Sequence, residues 1–202
     1  MTLPPRWVLA TGNRGKAAEL AALFEEAGLG ITLAAQSDLG VAAPPETAVT
    51  FVENALAKAR HAARSTGLPA MADDSGLVVD ALGGAPGVRS ARFAEDRGGG
   101  DAANIAKLLE LLEGAGPDRS AEFYCALVAL EHPDDPAPLI ATGTWKGAIA
   151  REARGGGGFG YDPVFFDPVL RRTAAELTPQ EKNRVSHRGT ALRRLVELLK
   201  NR

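Results

Sequence analysis

The sequence has a single cysteine, Cys125, among 202 residues. A lone cysteine forms no intrachain disulfide, and its setting in an apolar run marks a small buried hydrophobe, so a disulfide scaffold is excluded. Aromatic residues are scarce, at 5%, which argues against a stacking platform for single strands. Charge of one sign is also missing. A formal net charge of −2 offers no basic field for nucleic acid, so any nucleotide contact must be local. No apolar run approaches the ~20 residues of a membrane helix. The start carries no basic leader followed by an apolar core. The expectation is a cytoplasmic protein that partners neither nucleic acid nor membrane.

What is present is ordinary globular material, 45% hydrophobic and 24% charged. That suffices for one domain over residues 1–202, with room for two lobes. The stretch that organises the rest is Ala72-Asp73-Asp74-Ser75-Gly76, set between the apolar runs 68–71 and 77–79. Neighbours on an extended chain point to opposite sides, so Asp73 and Asp74 should diverge and only one need face a shared site. Two readings fit: a turn, which these residue types favour, or carboxylates for magnesium, which takes one or two of them plus substrate phosphates.

Trp7-Val8-Leu9-Ala10 reads as a first buried strand, and Thr11-Gly12-Asn13-Arg14-Gly15-Lys16 as the turn into a helix with Leu20, Leu23, Phe24 and Ala27 at helical spacing. Free N–H groups at a helix start bind anions. Lys16 stands where the helix dipole disfavours a cation, which makes sense if an anion sits between them. The P-loop pattern fails, because Ala10 stands where it needs glycine and Ala17 where it needs Ser or Thr. A plain strand-to-helix turn with a surface lysine remains the alternative.

Residues 31–34 form a weak second strand. Thr50-Phe51-Val52-Glu53 is a capping box opening a helix to about Thr66, with Glu46 in the loop before it. Lys58 and His61 on that helix receive no role. Ser90 to Phe93 reads as extended, and Asp101 as the cap of a helix carrying Ile105, Leu108, Leu109 and Leu112. Residues 121–130 are apolar on both alternations, a central strand buried on both faces. The turn Pro133-Asp134-Asp135-Pro136 should leave its acids solvated, and 139–150 is a second long strand. Gly155 to Gly160 contains a literal G-x-G-x-x-G, but Tyr161-Asp162-Pro163 starts no helix, so the dinucleotide reading fails. What is left is either a flexible surface loop or a backbone that closes on a ligand, with Phe159 or Tyr161 free to stack. A short strand at 164–166 follows, then a second capping box, Thr178-Pro179-Gln180-Glu181. Ser186-His187-Arg188-Gly189 reads as a break before a last helix.

Taken in order, Thr11 to Lys16, Phe51-Val52-Glu53-Asn54-Ala55, Ala72 to Leu77, Gly83-Gly84-Ala85-Pro86-Gly87, Gly157 to Pro163, and Glu181-Lys182-Asn183 with Ser186 to Gly189 resemble the inosine triphosphate pyrophosphatases, the XTP/dITP diphosphatases, in their bacterial branch. The resemblance covers nearly the whole chain. It implies an α/β fold: a long, curved, mixed β-sheet flanked by helices, two lobes with a cleft between them, in a homodimer. It implies Mg2+-dependent hydrolysis of dITP, ITP and XTP to monophosphate and pyrophosphate, clearing deaminated purines from the nucleotide pool.

By the same resemblance Asp74 is the catalytic base and a metal ligand, and Glu46 a second metal ligand. Thr11, Gly12, Asn13, Arg14, Gly15 and Lys16 form the phosphate-side loop, and Ser75 touches substrate. Phe159, Gly160, Tyr161 and Asp162 form a nucleotide-binding loop, while Lys182, His187 and Arg188 close over the base. Ala48 stands where the family pattern has glycine, a departure that bears on the alignment of Glu46. Two other functions remain open on sequence alone: a pyrophosphatase with another base preference, and a nucleotide sensor without turnover. Retaining both Lys16 and Asp74 counts against the sensor, which has no use for a base.

Overall fold

The computed structural model of the chain describes residues 4–202, except for the side chains of Arg14, Ala18, Glu19 and Leu23. The expectations that Leu23 faces a core and that the Arg14 side chain meets substrate therefore lie outside the described residues. The elements are β1 (Arg6–Ala10), α1 (Arg14–Glu26), β2 (Thr32–Ala35), α2 (Phe51–Thr66), β3 (Ala70–Val79), α3 (Asp101–Glu113), β4 (Ser120–Leu130), β5 (Leu139–Ile149), β6 (Phe165–Asp167), β7 (Arg172–Thr173), α4 (Pro179–Val185) and α5 (His187–Lys200). One seven-stranded sheet runs β2-β1-β3-β4-β5-β6-β7. It is mixed: β1 pairs in parallel with both β2 and β3, whereas β5–β6 and β6–β7 are antiparallel. The α/β architecture with a mixed, helix-flanked sheet is therefore as expected, with β4 as its middle strand.

The chain divides into two compact units. One takes the chain up to Asp74 with Cys125–Gly143 and His187–Arg202; the other takes Ser75–Tyr124 and Thr144–Ser186. In the first, Trp7 and Leu9 of β1 join Leu20 and Phe24 of α1 and Leu192, Leu195 and Leu199 of α5 in one buried cluster. Val8 and Ala10, equally buried, point to the other side of the strand. There α2 packs on β1 through a face of small residues, Ala55, Ala59 and Ala62. Removing such side chains from water is worth about 25 cal/mol per Å² of apolar surface. The second unit has its own core, in which the Phe165 ring lies 4.4 Å from Phe123 and 4.9 Å from Trp145, centroid to centroid. The Trp145 Nε1–H donates to Asp167 at 2.8 Å, so the one polar atom of the indole is satisfied inside that core.

Several local expectations change. Asp73 to Gly76 form no turn: β3 runs unbroken from Ala70 to Val79, and its two acids pair with Lys16 and Lys58. Residues 87–92 are a 3-10 helix and not extended chain. The cap of α3 is Gly100, with Asp101 the first helical residue and its carboxylate turned elsewhere. Asp135 is buried and not solvated, accepting from the backbone N–H of Glu131 and Ala137 and from Arg202. Ser186 caps the end of α4, and His187 and Arg188 already belong to α5.

Candidate active site

In the first unit, strand alternation separates the two acids of β3. Asp73, fully buried, lies 3.2 Å from the Lys16 ammonium of α1 and 4.0 Å from Arg188 Nε of α5. Asp74 turns toward α2, where Lys58 Nζ donates to its Oδ1 at 3.0 Å and to Glu46 Oε1 at 2.9 Å. Two carboxylates thus converge on one ammonium. Asp74 Oδ2 is buried and has no hydrogen-bond partner among the described residues. Burial pushes the Asp74 carboxyl above its ordinary range; Lys58 pulls it down, Glu46 pushes it up, and the net direction is up. For Lys58, burial pulls the ammonium down but Asp73, Asp74 and Glu46 outweigh it, so it is held above its usual value.

Lys58 is the residue that sequence reasoning passed over. It stands three residues after Ala55 and four before Ala62, inside the apolar stripe of α2, and a lysine on a buried stripe needs a buried anion. Asn54 is the second. Its Oδ1 accepts from the Ala48 N–H at 3.0 Å and its Nδ2 donates to the Ala48 carbonyl at 3.4 Å, tying the loop that carries Glu46 to α2. Ala48 has no positive φ, so alanine serves where the family pattern suggested glycine.

The turn into α1 is built by its own side chains. Asn13 Oδ1 accepts from the Lys16 N–H at 3.0 Å and so caps the helix, and Thr11 Oγ1 accepts from the Asn13 N–H at 3.2 Å. Gly12 and Asn13 are exposed, while Gly15 and Lys16 are half-buried. His187 and Arg188 are buried at the start of α5. Gly143 of β5 makes that approach possible: a Cβ there would strike the His187 carbonyl and lie 2.6 Å from the Ala191 nitrogen. A glycine inside a strand pattern was the available signal.

The second unit holds the other group. Lys182 Nζ donates to Asp162 Oδ2 at 2.6 Å and sits 4.9 Å from the centre of the Phe159 ring, a cation–π distance. The same Asp162 oxygen accepts from the Phe159 N–H at 2.9 Å. Gly158, at φ +73°, is required here, because a Cβ would run into the Asp162 carboxylate. Tyr161 is buried and donates its hydroxyl to the Ser90 carbonyl at 2.8 Å. Ser75 is half-buried on β3.

A model of the Ham1 family matches residues 7–198. The chain belongs to the Ham1 family. Among its relatives, the dITP/XTP pyrophosphatase of Shigella flexneri is 57% identical over 195 residues, covering 96% of this chain and 98% of that protein. The protein of the same description from Thioalkalivibrio sulfidiphilus is 58% identical over 197 residues, with the same coverage. Among solved structures, a HAM1 protein from Coxiella burnetii superposes with a TM-score of 0.90 at 52% identity, covering 98% of this chain and 100% of that one. The nucleoside-triphosphatase, or dITP/XTP pyrophosphatase, of Mycobacterium abscessus gives 0.74 at 46% identity, covering 94% and 98%.

Among the described residues no three acids or histidines gather into a cage. Glu46 and Asp74 nonetheless meet around one cationic point, and Asp74 keeps an unpaired buried oxygen. Two carboxylates with a spare oxygen fit a magnesium ion that completes its shell with water and phosphate.

Proposed function

We propose that this chain is a nucleoside triphosphate pyrophosphatase that hydrolyses dITP, ITP and XTP to the monophosphate and pyrophosphate with Mg2+, working as a homodimer. The observation that carries the reading is Asp74: buried, held by Lys58 through one oxygen, with the other unpaired among the described residues and the carboxyl raised above its ordinary range. That is how a carboxylate is prepared to take a proton from water. The names of the Shigella and Thioalkalivibrio relatives support the same substrate class.

Asp74 orients the attacking water and accepts its proton. Lys58 fixes Asp74 and Glu46 against each other and offsets their repulsion. Lys16 and the N–H groups at the start of α1 hold phosphate oxygens, where anions are favoured. Developing charge there meets groups already in place. Glu46 and Asp74 would hold the Mg2+, which supplies polarisation of phosphoryl oxygens and charge for the leaving pyrophosphate. Phe159 stacks on the base. Lys182, whose charge Asp162 fixes in direction, donates toward the C6 oxygen that hypoxanthine and xanthine carry and adenine lacks. A site built to bond that oxygen rejects adenine by leaving donors opposed.

The test is pyrophosphate release from dITP, XTP, dATP and dGTP, with and without Mg2+. Metal-dependent turnover of dITP and XTP, with dATP and dGTP at least about 10²-fold slower, is expected. Equal turnover of all four would defeat the base assignment. Binding without turnover of any would leave a sensor.

A further inference from the structure

The loop that carries Phe159 and Tyr161 turns on three glycines and is pinned by the Asp162 carboxylate and by the Gly157 N–H, which donates to the Ala175 carbonyl. Gly155, Gly158 and Gly160 all sit at positive φ, and such residues supply freedom and not order. Its position must come from ties to firmer elements. A further tie reaches it from elsewhere in the same unit: the Gly160 N–H donates to Asp101 Oδ2 at 2.6 Å, across 59 residues of sequence. Asp101 opens α3, and α3 is anchored by Leu108 and Leu112 in the core of that unit. The carboxylate makes no capping bond to its own helix, whose cap is Gly100. Next along the loop, Tyr161 is tied to Ser90, and burial first, then the Asp101 charge, hold its phenol above its usual value, so it remains a donor.

We propose that Asp101 is a positioning residue for the reaction: it latches Gly160, and through Gly160 sets the backbone that presents Phe159 to the purine. The proposal rests on the nucleotide-loop role given to Phe159 above. Asp101 does not touch the reacting atoms, so its removal acts on base binding and not on the chemical step. A bond to an ionised acceptor is among the stronger hydrogen bonds. A negative charge at a helix start also favours the helix itself, and that purely structural role must be separated from the latch.

Asp101→Ala and Asp101→Asn separate them, since asparagine keeps an acceptor oxygen and loses the charge. For Asp101→Ala the KM for dITP should rise about five- to tenfold with kcat within about twofold. Inhibition by inorganic triphosphate, which has no base, should not change. Hydrogen exchange of the Gly160 amide should quicken at least about tenfold. Asp101→Asn should recover part of both KM and exchange, since it keeps a weaker, neutral acceptor. Unchanged exchange in Asp101→Ala, an asparagine variant as impaired as alanine, or an equal loss of triphosphate inhibition would each overturn the latch. Failure of the wild type to hydrolyse any deaminated purine nucleotide would sink the substrate reading instead, and the Gly160 exchange rates would still decide the latch.

Discussion

Two ionic groups, one in each compact unit, use the same residue types differently. In the first, Lys58 is shared between Glu46 and Asp74, and one Asp74 oxygen is left over. In the second, Lys182 bonds Asp162, and the same Asp162 oxygen also takes the Phe159 N–H. Both lysines are buried. The first group has more carboxylate than its lysine can satisfy. The second joins one cation, one anion and one ring into a fixed arrangement. An unsatisfied buried oxygen costs roughly 1–3 kcal/mol, which a fold tolerates where the vacancy has a use. The proposed division follows from that contrast: chemistry at Asp74, recognition at Phe159 and Lys182.

The strongest way to break the contrast is Asp74→Asn. Loss of a general base should lower kcat for dITP by about 10³-fold, with KM little changed. Folding should not suffer. A carboxyl whose folded pKa is raised contributes stability below its unfolded pKa and loses it as pH rises through the folded value. At neutral pH the charged form is therefore a burden, and the thermal midpoint of Asp74→Asn should equal or exceed wild type. Lys58→Met comes next. It leaves two buried carboxylates facing each other and should cost about 3–5 kcal/mol of unfolding free energy, read by urea denaturation. Phe159→Ala should raise the KM for dITP by about 1–3 kcal/mol in binding, the scale of one base–aromatic stack, with kcat preserved. The last test is in pH, where no change is expected near neutrality. Lys58 is raised, so its contribution is fully present below its unfolded value and is lost only as pH rises through a folded value above 10.5. Urea midpoints of Lys58→Met and wild type should converge on that alkaline side and nowhere near neutrality.

Much of this was legible in the sequence because it was local or periodic. The period of two along residues 70–79 separated Asp73 from Asp74, and the patterns at Thr50 and Thr178 marked the starts of α2 and α4, with the reciprocal box complete at Thr178. What escaped depends on partners far along the chain. The turn reading of Asp73 to Gly76 stood beside the carboxylate reading because their cations, Lys16 and Lys58, come from two helices outside the stretch. Lys58 itself is readable from its place in the alanine stripe of α2. Asp101 was read as a cap, since no local pattern could announce a bond to Gly160. His187 and Arg188 looked like a break, yet they open α5, whose first turn passes close to Gly143. The two-residue strand β7 was too short for any pattern to mark.

The measurement that bears most directly on the division of labour is the kinetic cycle of Asp74→Asn, Phe159→Ala and their double variant with dITP. Independent roles should add. The double variant should then show the kcat of Asp74→Asn and the KM of Phe159→Ala. If Phe159→Ala alone lowers kcat as far as Asp74→Asn, or if Asp74→Asn retains wild-type kcat, chemistry and recognition are not divided as described here.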